Sequence, residues 1–311
     1  MGLIKSAVEL EIPSTIKMMV YGVPGMGKTT VALSAPSPLL LDFDGGVKRV
    51  NMSHLEGVDT IPISNWNEAS VQLFQENLSK YETIVIDTIG KMMDYIIYSV
   101  AGNYQPTLKQ WGTINQEFTK FVRNISMLGK NLIFVAHRSN RKEGDNNVYI
   151  PDLREKNYNA IVTELDLLGY MEMQNIKGQN VRTITFNPSS RNDGKNTCNL
   201  PACIAIPEII DAKGNPTKPN NFISESILKP YSEMLKQKKE AVKEYETLLS
   251  DIKERIELIT DAESANEFIA NIDAFHHIGS SKQKASVLLS QKAKTLNLKY
   301  NKNEHIYEPA V

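Results

Sequence analysis

The sequence predicts an α/β fold, a mostly parallel sheet between helices, followed by a helical C-terminal domain. Three observations lead there. Apolar runs recur unbroken, at residues 18–21, 39–41, 84–86 and 132–136, rather than alternating with polar residues. Such runs describe strands covered on both faces. Segments of helical periodicity separate the later runs, which is the signature of a parallel sheet with crossover helices. A glycine-rich stretch lies between the first run and the first helical turn.

That stretch is Gly22-Val23-Pro24-Gly25-Met26-Gly27-Lys28-Thr29, a full match to G-x-x-x-x-G-K-[ST]. It follows the strand of Met18 to Tyr21 and leads into Thr30-Val31-Ala32-Leu33, a first helical turn. A phosphate-binding loop needs this order, because glycines let the backbone fold round an anion and the helix then aims free N–H groups inward. Lys28 reaches the β- and γ-phosphates, and the Thr29 hydroxyl serves a magnesium ion. The cofactors expected are therefore ATP and Mg2+, held by Gly22 to Thr30.

The remaining elements follow in order. Residues 39–44 read as a second buried strand ending in Asp42, Phe43 and Asp44 before Gly45-Gly46. Residues 67–81 place Ala69, Leu73, Phe74 and Leu78 at helical spacing. Residues 83–88 form a β-branched strand closed by Asp87. Helices follow over about 91–101 and 113–128, then a third apolar strand ending at His137. Residues 139–159 are polar and turn-rich and read as a loop with Gly144 at its tip. Strands at 165–173 and 181–186 flank a hairpin turn at 176–180. Residues 211–221 make an exposed loop. From Tyr231 a charged helix runs to about Ile259, and two shorter helices cover 262–275 and 281–296. A boundary near Pro230 separates residues 1–229 from 230–311.

Composition narrows the classes. With 311 residues, 41% hydrophobic and 23% charged, the chain is an ordinary globular protein of one large or two smaller domains. Lys+Arg 35 against Asp+Glu 36 gives a net charge of -1, so any nucleic-acid surface must be local. The cysteines, Cys198 and Cys203, have no second pair or histidine at zinc spacing and read as reduced thiols. No signal pattern opens the chain and no run is long enough to span a bilayer, so the expected location is cytoplasmic, without membrane contact.

Asp87, at the end of its strand beside the phosphate loop, is the second half of the metal site. Hydrolysis also needs a residue that orients or deprotonates water. Asp42 and Asp44 share one face of their strand, at the sheet edge where α/β proteins bind ligands. Either can face the site, and Asp44, nearer the loop, is preferred. His137 can bond the γ-phosphate or the attacking water. Beyond it, Arg138, Arg141, Lys142, Arg154 and Lys156 form either a solvated loop or a DNA-contacting one that moves with nucleotide state. From Phe275 to Asn303 there is no acid, while Lys282, Lys284, Lys292, Lys294, Lys299 and Lys302 recur beside His276 and His277, a candidate nucleic-acid patch. Trp111 and Tyr104 have the chemistry to stack on bases, but isolated aromatics are more often packing and do not count toward nucleic-acid binding.

The order of phosphate loop, Asp-x-Asp-Gly-Gly, Ile-Asp-Thr and Ala-His-Arg resembles the phage-type RecA-like P-loop ATPases, including the Sak single-strand annealing proteins with a RecA core. Asp166-Leu167-Leu168-Gly169-Tyr170 and Gly194-Lys195-Asn196 resemble later motifs of that group. The resemblance covers about residues 17–207. It implies a RecA-like ATPase, phage-encoded and acting in the host cytoplasm on single-stranded DNA, in recombination, annealing or replication. It further implies self-association into a ring or filament, with Lys195 reaching a neighbour's γ-phosphate as a catalytic cation. Thr197 stands where many members carry arginine, and Asp44 where RecA proteins carry a longer glutamate. The alternative is a nucleotide-switched assembly or loader protein that binds a replication or recombination partner through its C-terminal helices. A small-molecule kinase is a third reading, disfavoured by the polar insertion and helical appendage.

Overall fold

Everything in the large unit is arranged around strand β1 (Lys17–Gly22), whose last five residues are fully or nearly fully buried. The computed structural model describes residues 13–310, so the N-terminal stretch read for a targeting signal lies outside the described residues. After the loop come helix α1 (Lys28–Ala32), strand β2 (Pro38–Asp42) and strand β3 (Asp59–Pro62). Helix α2 (Trp66–Ser70) precedes strand β4 (Thr83–Asp87), which is followed by α3 (Ile89–Ala101) and α4 (Leu108–Ser126). Strand β5 (Asn131–Glu143), β6 (Asn146–Pro151), α5 (Glu155–Glu164), β7 (Leu167–Ile176) and β8 (Gln179–Thr185) complete the main sheet with the short β9 (Lys195–Asn196) and β10 (Cys203–Ala205).

The sheet order is β10-β8-β7-β1-β5-β4-β2-β3, with β6 paired to β5 and β9 to β7. The block from β7 to β3 is parallel throughout. Strands β8 and β10 extend one edge antiparallel. The result is a mostly parallel sheet flanked by helices, with β5 inserted between β1 and β4. The apolar runs are buried because helices cover both faces. Leu41, Ile86, Ile133 and Met19 are wholly inside, and each buried aliphatic side chain contributes about 1.5–3 kcal/mol. One core joins Tyr21, Leu41, Ile86, Ile96, Phe118 and Tyr170.

Several elements differ from expectation. The helix expected over 67–81 is only α2 and a 3-10 turn, Gln72–Gln75. Asn65 caps α2 through the Glu68 amide, the backbone leaves helical angles at Val71, and the Asn77 side chain takes the Ser79 amide in a turn. Ala69, Leu73 and Leu78 are buried all the same, so the periodicity marked an inward face without a continuous helix. Strand β3 was not expected; it is a four-residue edge strand ending in proline. The loop expected at 139–159 is instead a β-ribbon of β5 and β6, turning at Gly144, followed by α5. Its polar sequence is held by specific contacts: Arg138 lies 4.1 Å over the Tyr149 ring, and Arg141 makes a forked pair with Asp193 at 3.0 Å on each nitrogen.

The chain divides into two compact units, the first ending at Ser232 and the second beginning at Glu233. Helices α6 (Lys229–Glu257), α7 (Ala262–Ala270) and α8 (Ser281–Thr295) stand where the sequence predicts helices. In the second unit, Ile252, Ile256, Phe268, Leu289 and Tyr307 form a core of their own. A hairpin of β11 (Leu298–Asn301) and β12 (Ile306–Pro309) closes it, with the Tyr300 and Tyr307 rings 5.1 Å apart, so the expected all-helical character ends at Asn297. Among the described residues no helix is long and apolar enough to cross a membrane.

Glycine is required at residue 22 by the neighbouring strand. A Cβ there would lie 2.6 Å from the Met171 carbonyl oxygen of β7. Gly22→Ala is expected to push β1 and β7 apart and lower stability by about 1–3 kcal/mol. A urea denaturation curve with an unchanged midpoint would contradict that packing.

Candidate functional site

The loop between β1 and α1 is built by backbone conformation. Gly25 and Gly27 take positive φ angles of 75° and 80°, a region that costs a residue with a side chain. Lys28 follows immediately and is buried, its ammonium donating to the Gly22 and Val23 carbonyls at 3.1 and 2.8 Å. Burial lowers its pKa, opposed by the nearby Asp87 and Asp44 carboxylates. Val23, Pro24 and Met26 span the loop, and Thr29 and Thr30 sit in the first turn of α1. Beyond the loop's far end, the Thr30 carbonyl accepts from the Asn220 side chain at 2.8 Å.

Asp87 ends β4 and Thr29 opens α1, yet the Thr29 hydroxyl donates to Asp87 Oδ2 at 2.5 Å. The two strands behind them are not neighbours; β5 lies between. Burial raises the Asp87 carboxyl to about 6, helped by the charges of Asp42 and Asp44 and opposed by the Thr29 bond and Lys28. A hydroxyl and a buried carboxylate side by side supply hard oxygen donors, the ligands magnesium prefers. The open side of Gly25, where a Cβ would meet nothing within 4 Å, leaves room over the loop for phosphates. These residues fit a magnesium-nucleotide: the loop amides and Lys28 would hold its phosphates, and Thr29 and Asp87 its metal.

The geometry divides the two aspartates after β2. Asp42 is buried and accepts from the backbone amides of Asp44, Gly46 and Val47 at 3.2, 2.9 and 3.2 Å. It folds its own loop. Asp44 is left with an ion pair to Arg49 at 3.1 Å and lies near the Lys28 ammonium and the His137 ring. His137 lies at the level of Gly22 on β5. Burial first and the Lys28 charge second lower its pKa, keeping the imidazole neutral, and its Nδ1 is buried without a hydrogen-bond partner among the described residues.

Lys28, Thr29, Asp44, Asp87 and His137 are thus brought to one place. Lys195 is not among them: on β9, opposite Leu168, its ammonium donates to the Val162 and Thr163 carbonyls at the end of α5, at 2.9 and 3.1 Å. Two residues at the site carried no signal in the sequence. Arg49 follows the Gly45-Gly46 turn, and the Arg182 guanidinium of β8 lies beside Gly27. Each is one basic residue in a segment with no motif, and only the fold reveals its neighbour.

The sequence matches the AAA domain family over residues 14–198, from the approach to β1 through β9. The chain belongs to that family. Solved structures with which it aligns include a KaiC-like protein of Pyrococcus horikoshii (12% identity, 55% of this chain and 77% of that one, TM-score 0.36). A second solved structure, an ATPase domain, aligns at 13% identity over 62% of this chain and 81% of its own, with TM-score 0.40. The flagellar accessory protein FlaH of Methanocaldococcus jannaschii aligns at 12% identity over 65% and 93%, with TM-score 0.36. No curated protein matches the chain.

A carboxyl raised to about 6 by burial stays protonated longer in the folded chain than in the unfolded one. Without divalent cations, its contribution to stability is present at low pH and lost as pH rises through 6. Asp87→Asn is therefore expected to stabilise the cation-free protein at pH 8 by about 1–3 kcal/mol and to leave it unchanged near pH 3.5. Equal melting differences at both pH values would contradict this.

Proposed function

We propose that the chain is a magnesium-dependent ATPase that acts on single-stranded DNA in recombination, annealing or replication, assembling into a ring or filament. The observation that carries the ATPase reading is the convergence of Lys28, Thr29 and Asp87, with the Thr29 hydroxyl 2.5 Å from the carboxylate. Magnesium, when bound, neutralises charge on the β- and γ-phosphates. Lys28 adds a buried positive charge at the same place. Asp44 is the carboxylate that orients water, since Asp42 is occupied by three amides and Asp44 is held only by an ion pair to the exposed Arg49. Neutral His137 can accept or donate one hydrogen bond at the γ-phosphate side, and β5 continues from it into the ribbon of β5 and β6. Nucleotide state is thereby coupled to that ribbon.

The DNA reading draws on the family resemblance and on local charge. Arg138 and Arg141 are engaged within the chain, by Tyr149 and Tyr170 and by Asp193, and Arg154 stacks on Trp111 at 3.3 Å. Lys142 and Lys156 remain exposed on the ribbon and α5, and Tyr104 is 83% exposed. In the second unit, Lys294, Lys299 and Lys302 are exposed. A role for Lys195 at a neighbour's γ-phosphate requires that it release both α5 carbonyls.

One observation favours the loader reading. The acid-free run is not unopposed in space: Asp273 pairs with Lys282, and Glu257 pairs with Lys292 at 3.1 Å. This mixed surface suits a protein partner better than a phosphate backbone does. Turnover decides between them. With ATP and Mg2+, single-stranded DNA is expected to raise the rate at low salt, and Lys28→Ala to abolish it. Turnover indifferent to DNA but abolished by Lys28→Ala would overturn the DNA reading and favour the loader.

A further inference from the structure

We propose that Arg182 is a phosphate ligand of the same chain's nucleotide, gripping the α- and β-phosphates from the side opposite the metal. The inference rests on the nucleotide reading of the loop and extends it. Three observations carry it. The guanidinium lies against the loop itself: a Cβ on Gly27 would meet its Cζ at 3.8 Å and its Nε and Nη1 at 3.9 Å. Its Nε is buried and has no hydrogen-bond partner, and Arg182 forms no ion pair among the described residues. A shielded guanidinium nitrogen without an acceptor is costly unless an anion completes it.

The third observation is topological. Asp87 on β4, His137 on β5 and Asp44 after β2 all reach the loop from one side of β1. Arg182 reaches it from the other, on β8, opposite Met173, two residues beyond Met171, which pairs with Gly22. The metal and γ-phosphate groups therefore mark one end of the polyphosphate, and Arg182 marks the other. The charge balance agrees. Asp44 and Asp87 face a single loop lysine, and Arg49 is committed to Asp44. A polyphosphate entering this acidic surrounding needs a further cation, and a guanidinium offers a planar fork matched to phosphate oxygens.

The test measures affinities of MgADP and of a magnesium-bound, non-hydrolysable ATP analogue for the full chain, using a fluorescent nucleotide and competition. Arg182→Gln is expected to weaken both nucleotides by the same factor, about tenfold or more. Arg182→Lys, which keeps the charge but not the fork, is expected to fall between, and it decides the matter if Arg182→Gln lowers the melting temperature of the nucleotide-free protein. Unchanged affinities in a folded variant overturn the inference. Loss confined to the triphosphate also overturns it, by placing Arg182 at the γ-phosphate. If the wild type binds neither nucleotide, the loop reading itself fails. Wild-type binding with indifferent variants fails this inference alone.

Discussion

The hydrogen bond from Thr29 to Asp87 depends on a strand that contributes to neither residue. The phosphate-loop strand and the acidic strand are kept one strand apart by β5, and across that spacing a hydroxyl in the first turn of α1 reaches a carboxylate at the end of β4. The register is set by the core. Val20 and Asp87 both pair with Val135, so the acid ends β4 two residues below the level at which Gly22 opens the loop. His137 then arrives beside Gly22 on the intervening strand. A slip of one residue in β5 would turn its buried run toward the wrong faces. Hydrophobic burial thus positions the polar groups.

Those polar groups are held at an electrostatic cost. Three aspartates crowd the loop with Asp87 pushed toward neutrality, while Lys28 is buried and its pKa lowered. Each shift means that the charged form is less stable there than in water. A divalent cation with a polyphosphate would relieve both at once, because the cation favours the carboxylate and the phosphates favour the ammonium. Asp42 accepts from three backbone amides and so holds the turn that presents Asp44. Sites poised in this way commonly bind rather than merely tolerate ions.

Much of this was legible in the residues. The apolar runs at β1, β2, β4 and β5 were readable because each is buried on both faces, and the loop because its glycines, lysine and threonine lie within one short segment. Asp42 and Asp44 were not separable, since alternation puts both on one face and the amides that claim Asp42 are revealed only by the turn. The ribbon of β5 and β6 was read as loop because its strands lack an apolar face; Arg141 with Asp193 and Arg138 on Tyr149 supply its order instead. Arg49 and Arg182 were invisible for a related reason. Their partners lie far along the chain or past a turn, and a lone arginine carries no spacing to read. The lysine run reads as unopposed along the chain, whereas Glu257 and Asp273, which precede it, meet two of its lysines in space.

Phosphates seated on residues 22–30, with their metal at Thr29 and Asp87, would shield the amides of that segment from solvent. Hydrogen–deuterium exchange read by mass spectrometry tests it most directly, comparing the protein alone, with Mg2+, and with Mg2+ and a non-hydrolysable ATP analogue. The account expects slower exchange in peptides covering the loop and α1 when nucleotide and metal are both present, and little change with metal alone. Saturating nucleotide that leaves the loop amides unchanged, or protects only a distant segment, would contradict it.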